Sequence, residues 1–241
     1  MQTLYALSLL QAKLEADLNK VQRWSQFQAS SNSRPQTTLD HTATVQLVAT
    51  LVVQAERRHN PEPFDAAYVH QMCAVHDLGE VVYSNVGCDV VLTNKTEQTD
   101  VNEVSAVRRL LHSLTDTHQE ELLERFMGQF ALRKNSLSSE EKAALEKLAD
   151  EKRLECMLFE AIEHLDYLLY AYREYLTRGN LRIVVKVLRD SHPWLKELAE
   201  QLPGFGREIY TPALIAWADD LCEQTKGLEL EDIPDRGPKP E

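Results

Sequence analysis

The chain has 241 residues, of which 43% are hydrophobic and 27% are charged, values that are ordinary for a folded globular protein. The formal net charge is −12 with histidine neutral, so a phosphate backbone would be repelled and a nucleic-acid polymer is not expected as the main partner. Only eight residues are glycine, about half the usual share, which favours helices over strand-rich folds.

The length predicts one domain, which we place at residues 1–225, followed by a polar tail without fixed structure at residues 226–241. The four cysteines are scattered and form no C-x-x-C motif, which indicates reduced thiols and a cytoplasmic setting. The N-terminal residues lack the basic region of a secretory signal, and no apolar run reaches the ~18 residues of a membrane span.

The first half of the chain contains three predicted helices. Leucines at helical spacing predict the first over residues 3–21, and a polar loop separates it from a second that starts near Asp40. Either Thr38 or Asp40 is a suitable N-cap for the second helix. A third helix is predicted over residues 64–77, and residues 78–94 are expected to be irregular.

The second half continues the helical pattern. Helices are predicted over residues 97–114 and 117–132, and a long helical stretch ends at Gly179-Asn180. A further helix is expected from about residue 181 to 202, interrupted near His192-Pro193, and a last one runs to about residue 225. No convincing strand pair is present in the sequence. The predicted fold class is therefore all-α, a compact helical bundle without a significant sheet.

Four residues point to chemistry. His41 opens the second predicted helix, the pair His76-Asp77 closes the third, and Asp166 lies among leucines and isoleucine in a later helix. A carboxylate in such apolar surroundings must be paired or bound to a cation. Two imidazoles and two carboxylates form a mixed nitrogen and oxygen site for one divalent metal, and this donor set does not distinguish Mn, Co, Mg, Zn, Ni or Fe.

Glu80 lies three residues after Asp77 and four after His76, so on a helix it would share a face with this His-Asp pair. A metal with open coordination positions lowers the pKa of its water and polarises a phosphoryl oxygen. A carboxylate beside such a water orients it or removes its proton. Glu80 is therefore a candidate catalytic residue.

The order H…HD…D on these helices resembles the HD-domain metal-dependent phosphohydrolases, and is most similar to their bacterial 5'-deoxynucleotidase members. The resemblance covers roughly residues 5–90 and 150–180. It rests on Arg23-Trp24, Asp40-His41, His76-Asp77-Leu78-Gly79-Glu80, and Asp166 followed by Leu169, Tyr170, Tyr172 and Gly179-Asn180.

The resemblance implies a metal held by His41, His76, Asp77 and Asp166. It also implies hydrolysis of a deoxyribonucleoside 5'-monophosphate, a small phosphorylated substrate, by a homodimeric enzyme. Arg23 would contact the phosphate and Trp24 would pack near the sugar. The alternatives are a salt bridge for Arg23 and a core position for Trp24.

The chain also departs from the nucleotidase pattern. Those enzymes carry an aspartate shortly after the glutamate, and Asn85 stands at that catalytic position here. An amide cannot donate a proton as a general acid, so the deoxynucleotide substrate stays open. In addition, residues 94–137 form a predicted helical insertion that is larger than in those relatives.

Two other functions remain open. One is hydrolysis of another phosphoester such as a guanosine tetraphosphate alarmone, although such hydrolases place Glu-Asp after the His-Asp pair and Val81 follows Glu80 here. The other is a non-catalytic metal-binding nucleotide sensor or scaffold, which Asn85 favours.

Overall fold

The computed structural model describes residues 2–24, 36–84, 97–112, 114–132 and 139–233. These residues are almost entirely helical, as the predicted all-α class requires. The helices are α1 (Gln2–Leu18), α2 (Thr38–His59), α3 (Ala66–Val75), α4 (Glu97–Leu111), α5 (Asp116–Met127), α6 (Ser139–Glu151), α7 (Arg153–Arg178), α8 (Leu181–Gln201), α9 (Pro203–Glu208) and α10 (Pro212–Gln224), with 3-10 helices at His76–Tyr83, Gly128–Phe130 and Leu230–Asp232.

The chain divides into two compact units. The first contains the described residues of 1–28, 32–46 and 65–159, and the second those of 47–64 and 160–241. The single domain predicted for both from the chain length stays a prediction. No helix among the described residues is long and apolar enough to cross a membrane.

The core of the first unit holds the 3-10 helix His76–Tyr83 in place. Val75 packs with Val104 and Val107 of α4 and with Phe126 at the end of α5, all of them buried. Gln129 is buried and its amide donates to the carbonyl of His76 over 2.7 Å. The α4 and α5 segment, predicted as an insertion, thus supplies part of the core beside this 3-10 helix.

A two-stranded antiparallel pair leads into α2. Strands β1 (Gln22–Arg23) and β2 (Gln36–Thr37) pair with Gln22 opposite Thr37. Thr37 Oγ1 accepts from the Asp40 backbone N–H, and Asp40 Oδ2 accepts from the Thr37 backbone N–H, at 3.1 and 3.0 Å. This reciprocal capping box fixes the first turn of α2, so the cap is Thr37 and neither Thr38 nor Asp40.

The second unit contains a carboxylate that caps a neighbouring helix. Glu56 on α2 is fully buried, and its Oε2 accepts from the backbone N–H of Phe205, in the first turn of α9, at 2.9 Å. Its other oxygen accepts from Asn60 Nδ2 at 2.9 Å. The carboxylate satisfies an N–H that α9 cannot pair internally and complements the positive end of that helix.

We expect Glu56→Ala to lower the free energy of unfolding by about 1–3 kcal/mol, because it leaves a buried N–H without its acceptor. Urea unfolding monitored by circular dichroism measures this loss. Glu200→Ala, at an exposed position on α8, is the matched control and should change the stability little. Equal stabilities of the two variants would show that Glu56 does not anchor α9.

Two local predictions were wrong. Helix α8 runs through Pro193 without interruption, because the proline is exposed and the opposite face buries residues such as Leu188, His192 and Leu195. Pro193 has no N–H to donate to the carbonyl one turn earlier, and packing of the buried face outweighs the loss of that hydrogen bond. Residues 78–83, expected to be irregular, continue the 3-10 helix.

Part of the predicted C-terminal tail is folded. Leu230–Asp232 forms a 3-10 turn and Ile233 is 1% exposed. Arg182 Nε donates to the Ile233 carbonyl over 3.0 Å. Residues 234–241 lie outside the described residues.

Candidate metal centre

Three of the predicted metal ligands meet in the first unit. His41 lies in the first turn of α2, and His76 and Asp77 begin the 3-10 helix that follows α3. Their exposed fractions are 0%, 3% and 6%. His76 Nε2 lies 3.3 Å from His41 Nε2 and 3.2 Å from Asp77 Oδ2, and His41 Nε2 lies 3.6 Å from the same oxygen. Each residue therefore directs one potential ligand atom to a common point.

The tautomer of His76 favours metal binding. Its Nδ1 lies 3.0 Å from the carbonyl of Cys73, and a carbonyl only accepts, so Nδ1 carries the proton. In the neutral ring, Nε2 then presents a lone pair to the oxygen of Asp77 and the Nε2 of His41. These atoms repel one another unless a proton or a metal ion lies between them. A backbone carbonyl behind a histidine is the usual support of a metal-binding imidazole.

Arg23 forms ion pairs with two buried carboxylates, those of Asp77 and Glu80. These three residues, together with His41 and His76, are called the cluster below. Arg23 Nη1 donates to Asp77 Oδ2 over 3.2 Å and lies 3.4 Å from both oxygens of Glu80. Burial raises the pKa of Asp77, but the contact with His76 and the positive charge of Arg23 outweigh it and hold this pKa below its usual range. Asp77 is thus ionised, as a metal ligand must be.

Thr38 also belongs to the cluster, although its position in the sequence predicts only a helix cap. Its Oγ1 donates to Glu80 Oε2 over 2.6 Å, and both side chains are buried. The hydroxyl and the Arg23 guanidinium together fix the orientation of the Glu80 carboxylate. Thr38 and Glu80 are 42 positions apart, so only the folded chain reveals this contact.

Trp24 adopts a backbone conformation that is rare for any residue other than glycine. Its φ angle is 66°, its side chain is 1% exposed, and its indole N–H donates to Gln36 Oε1 over 3.0 Å. The left-handed conformation costs about 1–2 kcal/mol, which burial and this hydrogen bond offset. The turn at Trp24 directly follows Arg23, whose guanidinium lies in the cluster.

The charges of the cluster suit a divalent cation. With neutral imidazoles, one guanidinium and two carboxylates leave an excess of one negative charge in a buried site. A divalent ion would reverse that sign and make the site attractive to an anionic phosphate. The donor set of two imidazole nitrogens and a carboxylate oxygen therefore fits such an ion.

Next to the cluster, the backbone of Gly79 leaves no space for a side chain. A Cβ at this position would lie 2.5 Å from the Cβ of Glu103 on α4. Gly79 is thus required for close packing of the 3-10 helix against α4, which places Asp77 and Glu80 on either side of it.

For two predicted site residues, Asp166 and Asn85, the assigned role stays a prediction. Asp166 lies on α7, in the second unit, and is 3% exposed. The converging group within the first unit, among the residues that the structure describes, contains His41, His76 and Asp77, and Asp166 as a fourth ligand stays a prediction. Asn85 falls in the range 85–96, outside the described residues, so its role stays a prediction.

Comparisons with known proteins identify a family and a similar fold. Residues 16–180 match the family model described as HD domain. The fold is similar to the crystal structure of a predicted metal-dependent phosphohydrolase from Magnetospirillum magnetotacticum, with a TM-score of 0.55, 16% sequence identity and 92% of each chain covered. No curated protein matches the sequence significantly.

Proposed function

The chain belongs to the HD-domain family, and on this premise we propose that it is a metal-dependent phosphohydrolase acting on a nucleoside 5'-monophosphate or a similar small phosphoester. The observation that carries the proposal is the convergence of His41, His76 and Asp77, with Glu80 and Arg23 beside them. The nucleotide substrate rests on the sequence resemblance to 5'-deoxynucleotidases. The similar protein from Magnetospirillum, described as a predicted metal-dependent phosphohydrolase, supports the reaction class.

Two imidazoles and one carboxylate would hold the metal, which would supply an activated water and polarise a phosphoryl oxygen. Glu80, held by Thr38 and Arg23, accepts the proton of the attacking water. Arg23 offsets negative charge that develops on the phosphoryl group, although in the described structure it binds Asp77 and Glu80.

The remaining site residues are proposed from the sequence alone. Asp166 is the fourth metal ligand by its place in the H…HD…D order. Asn85 occupies the position of the missing acid and, as an amide, binds the substrate or the leaving group without donating a proton to it. Trp24, buried beside Arg23, forms a wall near the sugar.

The proposal is tested by measuring phosphate release from a panel of ribonucleoside and deoxyribonucleoside 5'-monophosphates with Mn²⁺, Co²⁺ or Mg²⁺. We expect release from at least one nucleotide, and none in the presence of a chelator. A protein with bound metal that releases phosphate from no nucleotide is not a nucleotidase. Guanosine tetraphosphate is included in the panel, and its hydrolysis in preference to the monophosphates would support the alarmone alternative.

Thr38 provides a specific prediction for this mechanism. We expect Thr38→Val to lower kcat by about 10–100-fold, because it removes a hydrogen bond from a buried carboxylate and leaves Glu80 less well oriented. Thr38→Ser keeps the hydroxyl and should retain most of the activity. Steady-state kinetics with a fixed metal concentration measures both variants. If Thr38→Val is as active as Thr38→Ser, the hydroxyl does not position Glu80.

The resemblance also implies a homodimer. Exposed leucines are present on the described surface, with Leu47 and Leu51 one turn apart on α2 at 65% and 56% exposure. Exposed apolar side chains at helical spacing are suited to an interface between copies. Light scattering after size-exclusion chromatography is expected to give twice the chain mass of 27.6 kDa, and the monomer mass would refute the dimer.

A further inference from the structure

A pocket of about 440 Å³ lies between α1, the start of α2 and the 3-10 helix of the metal centre. This volume is within the ~300–1,000 Å³ of small-molecule sites. Asp77, one of the converging metal ligands, forms part of its wall. The other lining residues are mostly apolar: Leu10, Leu14, Leu18, Leu39, Ala74 and Leu78, with Gln11, Glu15 and Thr42.

The same apolar surface continues along α2 and α3. A neighbouring pocket of about 430 Å³ shares Leu39, Thr42 and Ala74 with the first. Its polar groups are a threonine hydroxyl, two amides and a histidine, among them Gln46, whose amide donates to the His70 carbonyl over 2.9 Å. A molecule bound at Asp77 therefore has apolar surface on which to extend.

The charges at the first pocket are all of one sign. Its ionisable groups are Glu15 and Asp77, and neither a lysine nor an arginine is among the described residues that line it. The nearest lysines in the sequence, Lys13 on α1 and Lys20 just after it, form salt bridges with Asp17, which is not a lining residue. A phosphate in this pocket would face the negative charge of Glu15, which no lysine or arginine of the described lining offsets, and leucine side chains, at a high desolvation cost.

We propose that this pocket binds the uncharged organic group of a phosphomonoester, such as the nucleoside part of a nucleotide, and selects against substrates with a second phosphate. The inference rests on the proposed function, because it places the reacting phosphate at the adjacent metal centre. It favours a monophosphate over a guanosine tetraphosphate alarmone, whose second phosphate chain would meet the acidic and apolar wall.

Binding is measured first, so that the outcome does not depend on turnover. Methyl resonances of the leucines are followed by NMR while deoxyadenosine 5'-monophosphate is added to the protein, with and without Mg²⁺. We expect shifts at Leu10, Leu14, Leu39 and Leu78. Shifts confined to leucines of the separate cavity between α5 and α6, such as Leu123 and Leu145, would overturn the proposal.

A pair of matched variants on α1 tests the pocket directly. Leu14→Arg fills it with a long charged side chain, and Leu9→Arg makes the same change at a 54% exposed leucine outside it. Leu14→Arg should weaken nucleotide binding by about tenfold or more, through lost apolar contacts. Leu9→Arg should stay within about twofold of the unchanged protein. Equal effects of the two variants on the dissociation constant would contradict the proposal.

Charge reversal gives a test that does not rely on blocking the pocket. Glu15→Lys replaces the exposed acidic group of the wall, and Glu15→Gln separates the loss of negative charge from the gain of positive charge. Glu15→Lys should strengthen binding of deoxyadenosine 3',5'-bisphosphate, whose second phosphate is on the sugar, relative to the 5'-monophosphate, with Glu15→Gln intermediate. An unchanged ratio would show that this wall does not select against a second phosphate.

The binding and hydrolysis experiments distinguish failure of the proposed hydrolase function from failure of the pocket assignment. If the metal-loaded protein hydrolyses no nucleotide but the leucine methyl groups shift and the Leu14→Arg effect is seen, the pocket binds nucleotides in a non-catalytic protein. If phosphate is released and neither pocket variant alters binding or KM, the function holds and the pocket assignment is wrong.

Discussion

Glu80→Gln is expected to lower kcat for phosphate release by about 10²–10⁴-fold while the protein keeps its divalent metal. The carboxylate is 2% exposed and is held by Thr38 and Arg23, so it is positioned to accept a proton. The amide keeps the size and most hydrogen bonds of the side chain but cannot act as a base. Rapid-quench or steady-state phosphate release, with elemental analysis of the same samples, measures both quantities.

A matched control is available at a second buried carboxylate. Glu56→Gln makes the same substitution in the second unit, at a residue that caps α9 and has no place in the cluster. It should leave kcat within about twofold of the unchanged protein. Loss of metal from Glu80→Gln would instead show that Glu80 is a ligand or holds the ligands in place, and the assignment as a base would then be wrong.

His76→Ala is expected to weaken divalent metal binding more strongly than the ~10–100-fold seen when an outer-shell partner of a metal ligand is removed. The substitution deletes the imidazole whose Nε2 lies closest to both other ligand atoms. Calorimetric titration with Mn²⁺ or Co²⁺ measures the dissociation constant. Phosphate release should fall in proportion to the metal content.

His118→Ala controls for the loss of a histidine. His118 lies on the exposed part of α5, where it pairs with Thr115, and should leave the metal affinity within about twofold of its original value. A dissociation constant that is the same for His76→Ala and His118→Ala would exclude His76 from the metal centre.

The metal centre could be partly predicted from the sequence because its key features are local. His76 and Asp77 are adjacent, so one turn places both, and His41 is at the start of a helix whose apolar face was evident. Their convergence was an expectation from the motif order alone. The structure provides the observation that the sequence could not supply, namely three ligand atoms within 4.8 Å of one another.

Other features required the folded chain. The contact of Thr38 with Glu80 joins residues 42 positions apart, and hydroxyl residues near a helix start are usually interpreted as caps. The capping box uses Thr37 instead, which frees the Thr38 hydroxyl for the carboxylate. Similarly, Arg23 was assigned to a phosphate or a salt bridge, and the two carboxylates that it contacts come from a distant segment.

Local propensity was overridden where packing was strong. Gly79 indicated an irregular segment, but the glycine instead allows the 3-10 helix to approach Glu103 on α4. Pro193 indicated a break, but its ring is exposed and the buried face of α8 stabilises the helix on both sides. In both cases the tertiary contacts, which a sequence pattern does not contain, decide the local structure.

The central claim is that His41, His76 and Asp77 hold a divalent metal ion. It is tested most directly by X-ray absorption fine structure of the Co²⁺-loaded protein, because multiple scattering from imidazole rings reports how many histidines bind the ion. We predict two imidazole ligands together with oxygen ligands, and one imidazole in His41→Ala. A spectrum with oxygen ligands only, or one unchanged in His41→Ala, would contradict the account.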